Sequence, residues 1–571
     1  MRIFQGFVSR SARPYWLLFG GAILFRFLIA LLFKQPGYTD AYYYSNVADT
    51  LWHGQGFRED YIWNYLVKPL PDSVYNNPSN VYWMPLTSVL IYLAYLLTGG
   101  PSFLASQLPF ILISSILPPL TYYVCQDIFG KYDPRGVRLG WLSALLMIFC
   151  SIYAPYFSLP DNFAPFALFS FGFLICSYKA LRLAPLEYKR GYRWLALAGV
   201  CAGLAYLTRV DGIILLVVPP LTLIIYRFWK RSTGLNWLAV GIMLLAFGLT
   251  ISPWLLRNLA VTGQVLPGGG TKTLFWREYN DFFSYIKPLD LPYYLNLTDP
   301  SPAWGIGPLL LSKAQALLEN LWIVGRGAIF LAPLFLLGLF ARLEEPAPDL
   351  PQTELTPDTL TGQAERRNLR LWQRPEFLPF ALYLVLLYLA MSLAFTFPST
   401  RGSVFHSSGG LLPFIYIISF VGLDSFIGWL GKLSRPKAAE ARRRSYSRLI
   451  VLAFVIVAAG MGFSLRADWN KDYDQLKAVD SWLAANNASN ALLMVPDAPA
   501  YHYVSGKPCL SITSDPLPVN LELARRYGVT YFLLQPDHAP ASLNSLFEHK
   551  SAPGYRLVTT IGDAQLYKLE Y

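Results

Sequence analysis

GYTDAYYYSNVADTLWHGQGF, residues 37–57, is the stretch around which the rest of the chain arranges itself. It follows the first long apolar run, Pro14–Phe33, so Asp40 falls a few residues past the point where a membrane span would meet water. After Asp40 the pattern turns amphipathic: Tyr43, Val47, Leu51 and Trp52 recur at helical spacing. An aromatic-rich helix of this kind is expected to lie along the interface and hold Asp40 at the lipid–water boundary. A carboxylate held there is placed to take a proton from an acceptor while the other substrate is a membrane lipid. The plainer reading is that Thr39-Asp40 merely caps the helix. This stretch alone leaves both readings open.

Composition sets the class. Of 571 residues, 54% are hydrophobic, 16% aromatic and only 14% charged, which excludes a soluble globular chain and predicts a polytopic membrane protein. The net charge of +12 does not point to nucleic acid, because the basic residues cluster in short loops between apolar runs. Cys125, Cys150, Cys176 and Cys201 lie in or beside those runs and Cys509 stands alone, so neither a disulfide framework nor a zinc site is expected. Arg2, Arg10 and Arg13 precede the first run without a small-residue cleavage site, which predicts an uncleaved first span.

Apolar runs of span length fall near 14–34, 103–124, 138–156, 162–181, 193–209, 212–229, 236–256, 320–341, 376–396, 409–432 and 449–465, about eleven in all. The shorter run 85–98 opens on Pro85, as a helix start does. Loop charge decides whether it crosses. With the N-terminus inside and 85–98 not crossing, Lys131/Arg135/Arg138, the Lys179–Arg193 group, Arg227/Lys230/Arg231, Arg366–Arg370 and Lys432–Arg448 all fall inside. Residues 35–101 then form one long outer loop with 85–98 as a juxtamembrane helix. The other outer segments are 153–161, 208–211, 257–320, 397–408 and everything after Leu465. The expected fold is an all-α polytopic domain over 1–465, with an acidic, proline-rich cytoplasmic linker at 342–374. After it, 466–571 reads as a small extracytoplasmic α/β domain: a helix at 474–486, then strands at ALLMVP, CLSI and TYFLLQP, helices at PAYHYVSG and VNLELARRYGV, and a closing hairpin.

This assignment gathers polar residues on the outer side. Arg209 and Asp211 break an apolar hairpin, either facing a polar cavity or salting their own turn. Asp161 opens a span in SLPDNFAPF, as an N-cap or as a second acid. Arg257 and Asn258 end the span SPWLLRN. Lys272 follows Gly268–Gly270, a run that suits either an anion cradle or a plain turn. Trp276, Tyr279, Phe282, Phe283 and Tyr285 form an aromatic belt, of the kind that seats a segment at the headgroups or stacks on sugar rings. Arg401 and His406 reach the same side in FPSTRGSVFHSSGG. Along the chain, no His/Asp cluster has metal-ligand spacing, so no metal is expected.

The ordered set GYTDAYYYSNVADTLWHGQGF, MPLTSVLIYLAYLLTGG, SLPDNFAPFALF, SPWLLRNLAVTG and SVFHSSGGLLPF, followed by an outer C-terminal domain, resembles the GT-C superfamily of polyprenyl-phosphate-sugar-dependent glycosyltransferases. Within it, the chain resembles the protein O-mannosyltransferases and the lipid-A aminoarabinose transferase. The resemblance implies a multi-pass enzyme of the bacterial inner membrane. Its donor would be a polyprenyl-phosphate sugar, which is a substrate and not a cofactor, and its acceptor a glycan, lipid or protein hydroxyl on the outer face. It also implies inversion at the sugar, Asp40 as general base, Asp161 as a second acid of the outer cavity, and Arg257 in the lipid-phosphate or acceptor region. Two positions depart from the pattern: relatives often carry Asp-Glu where this chain has Asp40-Ala41, and Met84 stands where the aminoarabinose transferase has a lysine. The donor-phosphate contact then falls to Lys68, Lys272, Arg209 or Arg401. The rival readings are a flippase for a lipid-linked glycan and a non-catalytic scaffold for envelope assembly. A flippase tends to show paired halves, and none is visible here.

Overall fold

The computed structural model describes residues 12–231, 233–266, 269–328, 331–341, 370–395, 403–431, 436–536 and 540–571. Residues 342–369, and with them most of the linker at 342–374 and of Arg366–Arg370, therefore lie outside the described residues, as do Gly268 and Arg401.

Seven helices are long and apolar enough to cross a membrane, or up to nine if two bent pairs each count once. The seven are Arg13–Ala30, Phe103–Phe129, Phe163–Leu183, Val210–Phe228, Trp237–Thr262, Val404–Gly431 and Ala438–Ala485. The pairs are Pro134–Phe149 with Ser151–Ser158 and Ile306–Gly327 with Ala332–Leu339. The expected run 193–209 sits in the helix Tyr188–Thr208, whose first two turns carry Lys189, Arg190 and Arg193. Leu378–Ala394 is apolar but shorter. Leu86–Thr98 is a 13-residue helix, about 20 Å long and too short for the hydrocarbon core. Close helix contacts run through small residues: a Cβ at Gly203 would strike Thr250, and one at Gly338 would overlap the Ile418 carbonyl.

Two boundaries differ from expectation. The outer segment 257–320 is shorter, because one helix continues to Thr262 and the next begins at Ile306. The last span does not stop near 465. Pro436–Ala485 is one 50-residue helix, about 75 Å long, that runs out of the bundle into the C-terminal region. From Phe463 to Val495 there is neither Gly nor Pro, so nothing in the chain breaks it.

The strands are β1 Arg58–Glu59, β2 Tyr61–Ile62, β3 Asn77–Pro78, β4 Leu493–Val495, β5 Cys509–Ser511, β6 Tyr531–Leu534, β7 Ser551–Ala552, β8 Tyr555–Ile561 and β9 Ala564–Leu569. The C-terminal strands and helices appear where the alternation places them, but the sheet is not closed on itself. Its order is β2-β5-β4-β6-β9-β8-β7, and the edge strand β2 comes from the first outer loop. Tyr61 pairs in parallel with Cys509, and Tyr65 Oη donates to the Ser511 carbonyl. The outer loop and the C-terminal region thus share one sheet and one apolar core, with Ile62, Tyr65 and Leu70 buried beside Leu510, Phe532 and Tyr567. Of the aromatic belt, Tyr285 packs on this core, while Trp276, Phe282 and Phe283 belong to a neighbouring one. Trp276 and Phe282 are buried, and Phe282 packs on Trp63, which stacks on Trp83 at 3.8 Å. They seat the outer loops against each other.

Candidate active site

The helix Thr39–Trp52 carries Asp40 in its first turn. It does not lie open along an interface: Ala41 to Ala48 are all buried. The helix Ala498–Ser505 covers it, with Asn46 Nδ2 donating to the Pro499 carbonyl at 2.9 Å and Tyr42 packed on Tyr503. The entry to the helix is fixed by Gly37, at φ +106, where a Cβ would come within 2.5 Å of the Trp469 ring. The capping reading does not hold. The N-cap residue is Tyr38, with no side-chain cap bond, and Thr39 Oγ1 donates to Asp497 at 2.6 Å instead.

Asp161 is fully buried just before the helix Phe163–Leu183. Its Oδ1 accepts the Asn162 N–H at 2.6 Å and its Oδ2 accepts the Tyr38 hydroxyl. Asn162 Nδ2 donates to Tyr44 Oη at 3.2 Å, and His406 Nδ1 lies 3.3 Å from Asn162 Oδ1. His406 stacks on Phe163 at 4.2 Å. Three distant segments therefore converge, and the ligand-capable atoms of Asp40, Asp161 and His406 all lie within 4.8 Å of one another. The expectation that no His/Asp cluster exists is corrected here, because chain spacing is blind to long-range packing. Two carboxylates and an imidazole form a donor set that suits a divalent cation.

The electrostatics single out Asp40. No hydrogen bond or ion pair holds its carboxylate among the described residues, whereas Asp161 has two donors. Burial is the main force pushing the Asp40 pKa above the ordinary carboxylate range; Asp161 and Asp497 add to it, and Arg209 opposes. Asp161 is raised less: burial pushes it up, while the Tyr38 hydroxyl, the Asn162 N–H and Arg209 hold it down. Burial works against the Arg209 charge, but Asp211, Tyr44, Asp40 and Asp161 outweigh it and raise its pKa. Arg209 Nε pairs with Asp211 at 3.1 Å, and Asp211 also accepts the Ser407 hydroxyl. The ion pair fits the turn-salting reading of Arg209, whose charge also reaches Asp40 and Asp161.

The other candidates sit elsewhere. Arg257 donates through Nη2 to the Ser79 carbonyl at 2.9 Å and lies over Trp254, bracing the outer loop on the helix end. Buried Asn258 accepts from Arg257 Nη1 at 3.2 Å. Lys272 Nζ donates to the Leu66 carbonyl at 2.5 Å, and Lys68 Nζ to the Tyr285 carbonyl at 2.9 Å. Tyr38, Tyr44, Asn162 and Asp497 were not among the candidates. The tyrosines read as part of an aromatic stripe, and only a helix start marked Asp497.

Neither a protein-family model nor a curated protein matches the sequence. Solved structures do match the fold. ArnT from Cupriavidus metallidurans, bound to undecaprenyl phosphate, aligns over 98% of this chain and 98% of its own at 13% identity and a TM-score of 0.53. At this identity the likeness is one of fold. The oligosaccharyltransferase of Archaeoglobus fulgidus, tethered to an acceptor peptide, aligns over 93% of this chain and 70% of its own at 12% identity and a TM-score of 0.51. The same enzyme in complex with Zn and sulfate aligns at 11% identity and a TM-score of 0.51, over 90% of this chain and 67% of its own.

Proposed function

We propose that this chain is an integral-membrane glycosyltransferase. It moves a sugar from a polyprenyl-phosphate donor to an acceptor hydroxyl on the outer face of a bacterial inner membrane, with inversion. The observation that carries this reading is a partly buried carboxylate, Asp40, held by no hydrogen bond and flanked by a pinned acid, Asp161, and a single arginine, Arg209. The fold shared with ArnT and with the oligosaccharyltransferase supports it, since those proteins were captured with undecaprenyl phosphate and with an acceptor peptide.

In this mechanism the acceptor hydroxyl attacks the anomeric carbon from the face opposite the phosphate. A C–O bond forms to the acceptor and the sugar–phosphate C–O bond breaks. Asp40 takes the acceptor proton as the hydroxyl acidifies. The phosphate leaves as a lipid-linked monoester, and Arg209 is the cation that faces its charge. Tyr38 and Asn162 keep Asp161 ionised beside Asp40, and Asp161 orients the site. A second reading is favoured by the convergence of Asp40, Asp161 and His406: these three residues would hold a divalent cation, which supplies charge neutralisation for the paired acids and the phosphate.

The test uses purified wild type and Asp40→Asn, each incubated with polyprenyl-phosphate hexoses and a membrane extract. The readout is free polyprenyl phosphate. Release by wild type and not by the variant supports the reading. Equal release by both sinks Asp40 as base, and release by neither favours lipid transport without transfer. Repeating the wild-type assay after chelation, then restoring single divalent ions, decides the metal reading.

A further inference from the structure

The helix Thr39–Trp52 works through two faces. Asp40 and Tyr44, one turn apart, belong to the acid cluster, where Tyr44 Oη accepts from Asn162 Nδ2. Thr39, Tyr42 and Asn46 follow at i, i+3 and i+7, and the C-terminal region takes all three. Thr39 Oγ1 donates to Asp497 Oδ2 at 2.6 Å, Tyr42 and Tyr503 pack with ring centres 5.2 Å apart, and Asn46 Nδ2 donates to the Pro499 carbonyl at 2.9 Å. The two hydrogen bonds join residues 458 and 453 positions apart. Asp40 has no side-chain bond of its own among the described residues, so its place follows that of the turn it sits on.

The sheet delivers Asp497 to this place. The strand β4 is wholly buried and lies between its parallel neighbours β5 and β6. With the helices Ala498–Ser505 and Leu517–Tyr527 these strands form a βαβαβ unit. In sheets wound this way, functional groups collect beyond the carboxyl ends of the strands. Asp497 stands two residues past that end of β4. Its Oδ1 accepts the Ala500 N–H at 3.0 Å, as N-cap of the helix Ala498–Ser505, while its Oδ2 accepts from Thr39. The carboxylate is thus oriented from both sides, and one of its two donors is the residue before Asp40. Thr39 opens its helix, whose N-cap residue Tyr38 makes no side-chain cap bond.

We infer that Asp497 is a positioning residue for the transfer reaction: through Thr39 it fixes the first turn of the helix that carries Asp40. The C-terminal region then completes the site instead of standing beside it. This inference rests on Asp40 acting as the base. A base must hold its oxygen within hydrogen-bond reach of the proton it takes. A misplacement of about 1 Å costs up to about 10²-fold in rate. Tyr42 and Asn46 grip the helix further along, but the first turn is where a helix frays, and there the Thr39–Asp497 bond holds it.

The test uses the full chain in detergent micelles with polyprenyl-phosphate hexose and a membrane extract. It reads kcat and donor KM per folded molecule from the release of free polyprenyl phosphate. Three variants separate the two bonds of Asp497. Asp497→Ser keeps a capping oxygen but is too short to serve Thr39 as well. Asp497→Asn keeps both bonds, since its amide oxygen caps and its NH₂ donates to Thr39 Oγ1. Thr39→Val keeps the shape of the side chain and removes the hydroxyl. Asp497→Ser and Thr39→Val should each lower kcat by about 10–10²-fold and leave donor KM unchanged. Their combination should be no slower than the slower single variant, because both cut one link. Asp497→Asn should stay near the wild-type rate. A purely structural role would lower the folded fraction and not the kcat of what has folded. Wild-type kcat in Thr39→Val and Asp497→Ser overturns the inference, as do losses that multiply in the double variant or an Asp497→Asn as slow as Asp497→Ser. If Asp497→Ser does not fold, Thr39→Val decides alone. Asp40→Asn, run in parallel, separates this inference from the reading it rests on. An inactive Asp40→Asn beside a fully active Thr39→Val sinks the positioning role alone. Equal release by Asp40→Asn and wild type, or none by either, sinks the base and the positioning role with it.

Discussion

The two ends of the helix Phe163–Leu183, about 32 Å apart, treat carboxylates in opposite ways. At the end carrying Arg182, Asp127 and Asp424 are each saturated with positive charge, two or more cations apiece. Asp127 accepts from Lys179 at 2.5 Å, Arg182 at 3.1 Å and Tyr178 at 3.1 Å. Asp424, also charge-paired, is met by Arg138, by Arg135 at 3.6 Å and by Arg443 at 3.8 Å. At the end opening on Asp161, the ratio inverts: Asp40, Asp161 and Asp211 face Arg209. An acid surrounded by cations is a structural joint. An acid left short of cations has capacity for a proton, a metal or a substrate, and its deficit marks where chemistry is possible.

The largest expected effect breaks this contrast directly. Asp40→Asn should lower polyprenyl-phosphate release by about 10²–10⁴-fold, the usual worth of a positioned base. It should leave the fold intact, because no hydrogen bond is lost. It should also change the pH dependence of stability. The folded pKa of Asp40 is raised, so its stabilising share is full below the unfolded value of 3.8 and is lost as pH rises through the folded value. The melting temperature of wild type should therefore fall relative to Asp40→Asn as pH rises from 3.8 through the folded value, and level off above it. A wild-type activity limb lying above the ordinary carboxylate range would sharpen the assignment. Identical pH–stability curves for the two proteins would end it.

Asp424→Asn tests the other end. It leaves Arg135 and Arg138 facing a neutral amide and Arg443 with Glu440 alone, at a cost of about 1–3 kcal/mol because the arginines are partly exposed. Turnover per folded molecule should not change. A thermal melt with activity measured on the folded fraction checks both parts. Loss of turnover without loss of stability would show that the saturated end also takes part in chemistry.

Much of the frame was legible. Apolar runs placed most spans, and alternation with turn residues placed the C-terminal strands and helices, because those signals are local. Asp40 and Asp161 were legible as acids at span ends. Their meeting was not, since Tyr38 reaches Asp161 across 123 positions and His406 reaches Asn162 across 244. The strand Tyr61–Ile62 was missed because a two-residue strand has no periodicity, and its partner lies in the C-terminal region. Trp276 and Phe282 looked like a headgroup belt because aromatic content alone does not separate an interface from a core. Arg257 looked like a substrate contact, but the carbonyl oxygens it holds belong to loop residues, Phe57 and Ser79, that no pattern brings to it.

The next effect concerns how the site is held. Gly37→Ala places a methyl in the Trp469 ring and forces a non-glycine residue to φ +106. A loss of about 1–3 kcal/mol is expected from the strained backbone. In a Trp469→Ala background, itself destabilised by the lost ring packing, Gly37→Ala should cost less because the clash is gone, a partial recovery read from the double-mutant cycle. No recovery would mean that the backbone conformation, and not the ring contact, sets the entry to the Asp40 helix.

The smallest effect separates the two acids from each other. Tyr38→Phe removes only the hydroxyl that donates to Asp161 and keeps the ring packed on Trp469 and Tyr156. That hydroxyl lowers the Asp161 pKa, so its loss should raise it, and Asp161 then keeps a proton to higher pH. A protonated Asp161 no longer repels charge on Asp40, so Asp40 should ionise more readily and the acid limb of activity should move down in pH. The limb would move up if Asp161 must be ionised for turnover, as orientation of a metal or of Arg209 requires. The direction of that shift, read from activity profiles of Tyr38→Phe and wild type, therefore tells whether Asp161 acts as a charge that tunes Asp40 or as a ligand in its own right.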